Sequence, residues 1–394
     1  MVEFSYVFPG KVIFGPNSVN KVPDEVSRLA SKKSRVLLVT DKNMVRLGLP
    51  ERVTKPLTEK GHDVEVFSEI SGEPLLSTAD SVAQYARSGK FDVVVGMGGG
   101  SCMDMAKLGA VAATNPKPIK EYIAFLEDRV EKKPLPRILI PTTAGTGSEA
   151  TSYAVVVDGL FKNFMTSPSV VADVSVIDPA LMTTCPPKQT AGSGLDALAQ
   201  GVEPYLSLAS DIFSDTYALR GMQLITGSLK QAYRNGSDLD ARSAMALGAF
   251  YGGVAISTAA GVILGHCISE TIGPRFKIPH GLACGIALPY TIRFNLPAAQ
   301  DKVASMLPYV TNQTATGTAE RAKKTLEVVT ALVRDLDVSL ALKDYGVSKE
   351  ELREVAKFIA KEQQTNYALP SLNPAPVNEE NMLSLFDDMW NGHI

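Results

Sequence analysis

The sequence predicts an α/β domain with a mostly parallel sheet over residues 1–185, followed by an all-helical domain over residues 186–394. Three observations carry this. Short aliphatic runs alternate with amphipathic segments through the first half, the pattern of strands covered by helices. After Asp178-Pro179 strand-like runs nearly vanish and helical periodicity takes over. A chain of 394 residues exceeds one ordinary core, and its 45% hydrophobic but only 7% aromatic content suits cores of aliphatic and small side chains.

The strand-like runs come in order. Lys11–Phe14 (KVIF) and Arg35–Thr40 (RVLLVT) flank an amphipathic segment, Asn20–Lys32. Val64–Phe67 follows amphipathic Pro50–Lys60, and Asp92–Val95 (DVVV) follows Ser77–Ser88. Met103–Thr114 separates DVVV from Arg137–Ile140 (RILI), after which come Val155–Val157 and Val174–Ile177. RVLLVT and DVVV are unbroken aliphatic runs, as parallel strands buried on both faces require. Thr183–Gly194 (TTCPPKQTAGSG) reads as a Pro/Gly/Thr-rich connection. Helical segments then run over Leu195–Leu206, Ser214–Tyr233, Asp240–Ala259, Ala319–Leu336, Lys349–Gln364 and Glu379–Trp390, with a loop at Pro370–Pro376.

A net charge of −3 without a long run of one sign argues against nucleic acid or an anionic membrane as the main partner. The four cysteines, Cys102, Cys185, Cys267 and Cys284, form no C-x-x-C pair; they fit a reduced, cytoplasmic compartment, with Cys as small apolar filler. The first residues lack the basic-then-apolar pattern of a signal peptide. Ser243–Gly265 carries no charge and has the length of a bilayer span. Its wealth of Gly, Ala, Ser and Thr, and its run into His266, point instead to a buried helical region.

Two loops of the first domain suit a phosphate ligand. In DVVVGMGGGSCMDMAKLGA a strand passes through Gly98, Gly99, Gly100 and Ser101 into a helix expected near Cys102. Glycines let a phosphate approach the backbone, and a helix N-terminus offers unpaired N–H groups. Ser101 is placed as N-cap or hydroxyl donor. A tight turn without a ligand is the other reading. The dinucleotide fingerprint G-x-G-x-x-G is absent, since Met103 and Asp104 stand where its last Gly would fall. Pro141–Thr151 (PTTAGTGSEAT) follows RILI in the same way, at the strand end where open α/β sheets bind ligands, or as a polar cap of the next helix. Asp41, ending RVLLVTD, suits a ribose hydroxyl and would repel a 2′-phosphate; it also suits a turn.

In the second domain, His266 and His280 are two of only four histidines and lie fourteen apart in GHCISETIGPRFKIPHG. Upstream, Asp196 and Gln200 are four apart, on one face of a helix. Two imidazoles, a carboxylate and an amide oxygen make a mixed-ligand site for a divalent metal. A histidine bordering an apolar segment also reads as a satisfied core residue.

Together these segments resemble the iron-containing (group III) alcohol dehydrogenase family. GGGSCMDMAK is similar to its G-G-G-S-x-x-D-x-x-K segment, and PTTAGTGSEAT to its second signature. DPAL followed by GLDAL is similar to the start of its helical domain, and the H-x13-H ending in IPHG to its metal-binding stretch. The likeness runs from FPGKVIFG to His280, with little signature in the last 100 or so residues.

The resemblance implies a Rossmann-like parallel-sheet domain followed by an all-helical one, a dehydroquinate synthase-like architecture. It implies NAD in the α/β half, NADP being disfavoured by Asp41, and one divalent metal, Fe2+ or Zn2+, in the helical half. By position, Gly98, Gly99, Gly100 and Ser101 would hold the pyrophosphate. Thr142, Thr143, Thr146 and Ser148 would line the phosphate–nicotinamide side, completed by Asp104, Lys162 and Leu181. Asp196, His266 and His280 correspond to metal ligands. Three positions depart from the family: Gln200 replaces a ligating His, Glu270 replaces another His one turn after His266, and Glu73 stands where members often have Asn. Glu270 and the ligand His280 are the candidate catalytic residues.

The implied activity is NAD-linked interconversion of a small alcohol and its aldehyde or ketone by metal-assisted hydride transfer, in a homodimer or larger assembly. The alternatives are an oxo-acid reductase of the maleylacetate type or a polyol dehydrogenase on the same scaffold. From another class comes a non-catalytic NAD-binding protein with a decayed metal site.

Overall fold

The computed structural model describes residues 5–124, 127–258, 261–362 and 368–394. The chain divides into two units, Tyr6–Cys185 and Pro186–Ile394. The expected helix ends at Ala259 and Gln363–Gln364 lie outside the described residues, as does the extreme N-terminus, residues 1–4.

The first unit holds β1 (Val12–Phe14), α1 (Val22–Leu29), β2 (Arg35–Asp41), α2 (Lys42–Arg46), α3 (Glu51–Glu59) and β3 (Asp63–Ile70). Next come α4 (Leu76–Gly89), β4 (Val93–Gly98), α5 (Gly100–Thr114), α6 (Ile119–Tyr122) and β5 (Arg137–Pro141), then β6 (Tyr153–Asp158), β7 (Phe161–Thr166) and β8 (Val174–Ile177). Six strands form a parallel sheet in the order β1-β8-β5-β4-β2-β3. Period-two alternation sends Leu37, Val39 and Val94 into one core, with Val82, Met105 and Leu108 of α4 and α5. Val36, Leu38, Val93 and Val95 enter the other, with Val26 of α1 and Val53 and Leu57 of α3. Each such aliphatic side chain contributes roughly 1.5–3 kcal/mol on burial, so β2 and β4 are anchored from both faces. β3 lies on one side of β2 and β4 on the other, so the topology reverses between β2 and β4. The carboxyl ends of these two strands, Asp41 and Gly98, flank that switch point, where such sheets leave a crevice for a ligand.

The Val155–Val157 run is not part of the parallel sheet. It lies in β6, which pairs antiparallel with β7 in a separate two-stranded hairpin. The turn passes through Gly159 at φ +65°, a left-handed conformation that glycine adopts without Cβ strain.

The second unit is helical among the described residues: α7 (Pro187–Leu206), α8 (Ile212–Arg234), α9 (Leu239–Ile256), α10 (Leu264–Phe276), α11 (His280–Ser305), α12 (Leu307–Val310), α13 (Thr318–Arg334), α14 (Lys349–Glu362), α15 (Ala368–Ser371) and α16 (Glu379–Asn391). One expectation changes here. Most of the Thr183–Gly194 connection is helix, because Pro187 opens α7 and its glycines permit close packing. A Cβ on Gly194 would meet Leu229 of α8 at 2.3 Å. The uncharged stretch Ser243–Gly265 is not one helix: α9 stops at Ile256 and α10 starts at Leu264, with Gly261 at φ +54° between them. Among the described residues no helix is long and apolar enough to cross a membrane.

Candidate metal centre and cofactor loop

Three helices of the second unit bring the polar cluster together. On α7, Asp196, Gln200 and Glu203 recur at i, i+4 and i+7 and share a face. His266 lies in the first turn of α10. His280 is the first residue of α11, which Pro279 precedes, and Cys284 follows one turn later. α7 and α11 touch backbone to backbone, since a Cβ on Gly281 would stand 2.4 Å from the Gly192 carbonyl oxygen. Only glycines allow that approach, and it delivers His280 to Asp196.

The result is a ring of donor atoms. Asp196, His266, His280 and Cys284 present ligand atoms all within 4.8 Å of one another. His266 Nε2 is 3.4 Å and His280 Nε2 is 3.9 Å from Asp196 Oδ1. Cys284 Sγ is 3.8 Å from His266 Nε2 and 3.7 Å from His280 Nε2. Asp196, His266 and Cys284 are buried, whereas His280 is partly exposed. Gln200 Nε2 donates to Asp196 Oδ1 at 3.0 Å, and its buried Oε1 accepts no hydrogen bond.

Glu203, which the sequence reading missed, organises the ring. Its Oε1 is 2.7 Å from His266 Nδ1, and its Oε2 accepts from the backbone N–H groups of Ile263 (2.7 Å) and His266 (3.1 Å). A carboxylate accepts only, so the Nδ1 of His266 carries a proton and its Nε2 is the ring atom that faces the cluster. The signal was present in the sequence: Glu203 is seven residues after Asp196, on the same helical face. Cys284, read as apolar filler, sits instead among imidazoles.

The electrostatics favour a cation. Burial pushes the Asp196 carboxyl up, but the hydrogen bond to His266 and the charges of His280 and His266 outweigh it, so it sits below its ordinary range. Burial pushes the His266 imidazole down, yet the acidic groups of Cys284, Glu203 and Asp196 carry it well above its ordinary value. Burial raises the Cys284 thiol. Nitrogen, oxygen and sulfur donors at these separations fit a divalent ion. Glu270, buried one turn after His266, is not among the four clustered donors.

In the first unit the glycine loop occupies the switch point. Gly98 has φ +149°, and Gly99 caps α5, which therefore starts at Gly100, earlier than expected near Cys102. Ser101 is not the N-cap; its Oγ donates to the Gly72 carbonyl at 3.0 Å. Thr142 N–H donates to Gly98 O at 2.9 Å. Thr143 lies against Gly99, and a Cβ on Gly100 would meet Thr146 Cγ2 at 2.7 Å. Asp41 caps α2, its Oδ1 accepting from Asn43 N–H and Met44 N–H, while its Oδ2 faces the loop, 3.5 Å from Cys102 Sγ.

The remaining expected cofactor residues are engaged elsewhere. Asp104 accepts from Ser148 Oγ at 2.6 Å and from Val155 N–H at 3.2 Å. Lys162 pairs with Glu73 at 3.4 Å, which gives that carboxylate a partner. Leu181 is buried in the hydrophobic core. Lys107, the last residue of the GGGSCMDMAK segment and part of α5, is fully buried and donates to Thr151 O (3.2 Å), Thr151 Oγ1 (3.0 Å) and Tyr153 O (2.5 Å), tying the second loop to α5.

A parallel sheet with a glycine loop at its switch point, and a helical unit carrying clustered metal donors, are the parts of a two-unit dehydrogenase. Residues 9–179 match the family described as iron-containing alcohol dehydrogenase, and residues 190–390 match the Fe-containing alcohol dehydrogenase family, C-terminal. The chain belongs to the iron-containing alcohol dehydrogenase family. It is 34% identical over 390 residues to long-chain-alcohol dehydrogenase 1 of Geobacillus thermodenitrificans, covering 98% of this chain and 97% of that one. It is 31% identical over 385 residues to sulfoacetaldehyde reductase of Bilophila wadsworthia, covering 96% of each. A crystal structure of 1,3-propanediol oxidoreductase superimposes with a TM-score of 0.92 at 29% identity, covering 98% of this chain and 100% of that one. Sulfoacetaldehyde reductase from Bifidobacterium kashiwanohense, solved with NAD+, gives a TM-score of 0.87 at 25% identity over 99% of both chains.

Proposed function

We propose that this protein is an NAD(H)-dependent oxidoreductase that interconverts a small alcohol and its aldehyde or ketone with the help of one divalent metal, Fe2+ or Zn2+. The observation that carries the reading is the buried ring of Asp196, His266, His280 and Cys284, with Glu203 behind it. The family, and the NAD+ complex of a relative, support the cofactor.

When bound, the metal supplies Lewis acidity to the substrate oxygen and the nicotinamide supplies or accepts hydride. The chain's own residues do the rest. Asp196 and the Nε2 atoms of His266 and His280 hold the metal, and Glu203 keeps the His266 ring in the ligating tautomer. Gln200, at the position where the family has a ligating His, steadies Asp196 through its amide N–H. Gly98, Gly99 and Gly100 let the loop pack closely on Cys102, Thr143 and Thr146 and bring a pyrophosphate to the N-terminus of α5, whose N–H groups favour an anion. Thr142, Thr143 and Thr146 flank that space. Asp41 Oδ2 accepts a ribose hydroxyl and repels a 2′-phosphate, which selects NAD over NADP. Ser101, Ser148, Asp104, Lys162 and Leu181 shape the cofactor loops from behind, through the contacts that they already make. His280, the most exposed donor, and Glu270, one turn from His266, are the groups proposed to hold the exchanging proton.

The same reading covers setting and assembly. Four free cysteines support a reducing, cytoplasmic compartment. Exposed Val7, Phe8, Val12 and Phe14, along and before the edge strand β1, support a homodimer or larger assembly.

The test is metal analysis of the purified protein beside an NADH-linked aldehyde panel, before and after chelation. Turnover should vanish with the metal and return on its restoration. Activity untouched by complete metal removal sinks the Lewis-acid reading, and tight NADH binding without turnover in metal-replete protein replaces it with a non-catalytic one.

A further inference from the structure

We infer that Cys284, and not Gln200, supplies the fourth protein ligand of the metal centre, making it an Asp–His–His–Cys site. The inference rests on the metal reading above and refines the donor set.

Geometry comes first. A tetrahedral ion with bonds of about 2.0–2.1 Å to nitrogen or oxygen and about 2.3 Å to sulfur requires donor-to-donor edges of roughly 3.3–3.6 Å. The ring already shows edges of 3.4 Å (His266–Asp196), 3.7 Å (Cys284–His280), 3.8 Å (Cys284–His266) and 3.9 Å (His280–Asp196). The other two edges, His266–His280 and Cys284–Asp196, lie within 4.8 Å, so contraction of the ring would close it around one ion. Cys284 stands four residues after His280 on α11, so one helical face presents both ligands.

Chemistry comes second. Cys284 is buried, but its sulfur is not in an apolar setting: two imidazoles flank it, and Ser269 Oγ lies 3.3 Å away. That hydroxyl can rotate to support a metal-bound thiolate. Gln200 turns the wrong end toward the ring. Its Nε2 is the atom at Asp196, a donor without a lone pair for a metal, and its Oε1 lies beside Gly252 of α9. Reversing the amide would set two oxygens 3.0 Å apart at Asp196 with no proton between them, a contact that only a shared cation would relieve. Gln200 is therefore a positioning residue for Asp196.

A thiolate beside a carboxylate neutralises a dication and adds a soft donor. This set favours Zn2+ over the harder Fe2+.

Cobalt substitution of the full-length protein decides the matter, because thiolate ligation of Co2+ adds a near-ultraviolet charge-transfer band to its visible d–d bands. Wild-type protein should bind one Co2+ per chain and show both. Gln200→Ala should keep the charge-transfer band. Cys284→Ser should lose it, retain the d–d bands, and bind Zn2+ at least about 100-fold more weakly, since even outer partners of ligands are worth roughly 10–100-fold. Bound cobalt without the charge-transfer band in wild type, or a band that survives Cys284→Ser, overturns the inference and leaves the metal reading intact. Failure of the wild-type protein to bind Co2+ or Zn2+, or binding indifferent to Asp196→Ala, overturns the metal reading itself. The wild-type spectrum is decisive alone, so a poorly folded variant cannot mask the answer.

Discussion

Glu203 shows how much of the centre depends on a residue outside the donor ring. Its carboxylate takes three N–H groups, two from the start of α10 and one from the His266 ring. Glu203→Gln keeps the size but turns an acceptor-only group into one that also donates, so the His266 tautomer is no longer enforced. Metal affinity should fall about 10–100-fold, measured by chelator competition, with secondary structure unchanged by circular dichroism. An unaltered affinity would show that the His266 ring is oriented by packing alone. At the same scale, burial pushes the Glu149 carboxyl up from 4.5 to about 7, and its Oε2 accepts no hydrogen bond. A raised folded pKa means that the native state holds a proton which the unfolded chain has released. Its contribution to stability is complete below about pH 4.5 and is lost as pH rises through about 7, on the order of 3 kcal/mol. Glu149→Gln should remove that decline. Denaturant unfolding of both proteins from pH 4.5 to pH 8 checks it, and parallel curves would refute a buried neutral Glu149.

Several helix pairs in the second unit pack closely at glycines. Gly192 meets Gly281 between α7 and α11, Gly285 meets Leu195 between the same pair, and Gly221 meets the Gly248 carbonyl between α8 and α9. Such contacts let helix axes approach closely, which is how Asp196 on α7 reaches His280 on α11. Gly281→Ala forces a methyl against the Gly192 backbone, where no side chain can yield. Stability should drop at or above the upper end of about 1–3 kcal/mol, and metal affinity should drop with it, because α11 carries His280 and Cys284. Denaturant unfolding and metal titration of the same variant test this; lost stability with intact affinity would separate the α7–α11 contact from the metal centre. The same packing explains what the sequence hid. α11 has no apolar stripe, carries Pro289 and Pro297, and is mostly buried through its first half, so no 3.6-residue period announces it. β2 and β4 were legible because burial on both faces leaves an unbroken aliphatic run. β6 was misplaced because three valines suit a hairpin as well as a parallel strand, and only the turn at Gly159 decides.

Across the whole molecule, the cofactor loop lies within one unit and the metal ring within the other. Each ligand should therefore stabilise its own unit by mass action. Metal at 100 times its Kd should add about 2.7 kcal/mol to the opening of α7 and α10, and NADH at the same excess should do so for β4 and α5. Hydrogen exchange with each ligand separately reads this, and equal protection of all four elements by either ligand would contradict it. Much of this plan was written in the sequence: the alternation of strands and helices, the two loops at strand ends, and the Asp196, His266 and His280 spacing. Periodicity, turn chemistry and motif spacing depend on neighbours along the chain, so a linear reading reaches them. Glu73 had no role until the fold brought Lys162 to it from 89 positions away. Cys284 read as filler until α10 and α11 set two imidazoles beside its sulfur. Which donors meet is decided by how closely helices pack, and that distance is set by glycines and side chains far apart in the chain. The tertiary structure alone decides it.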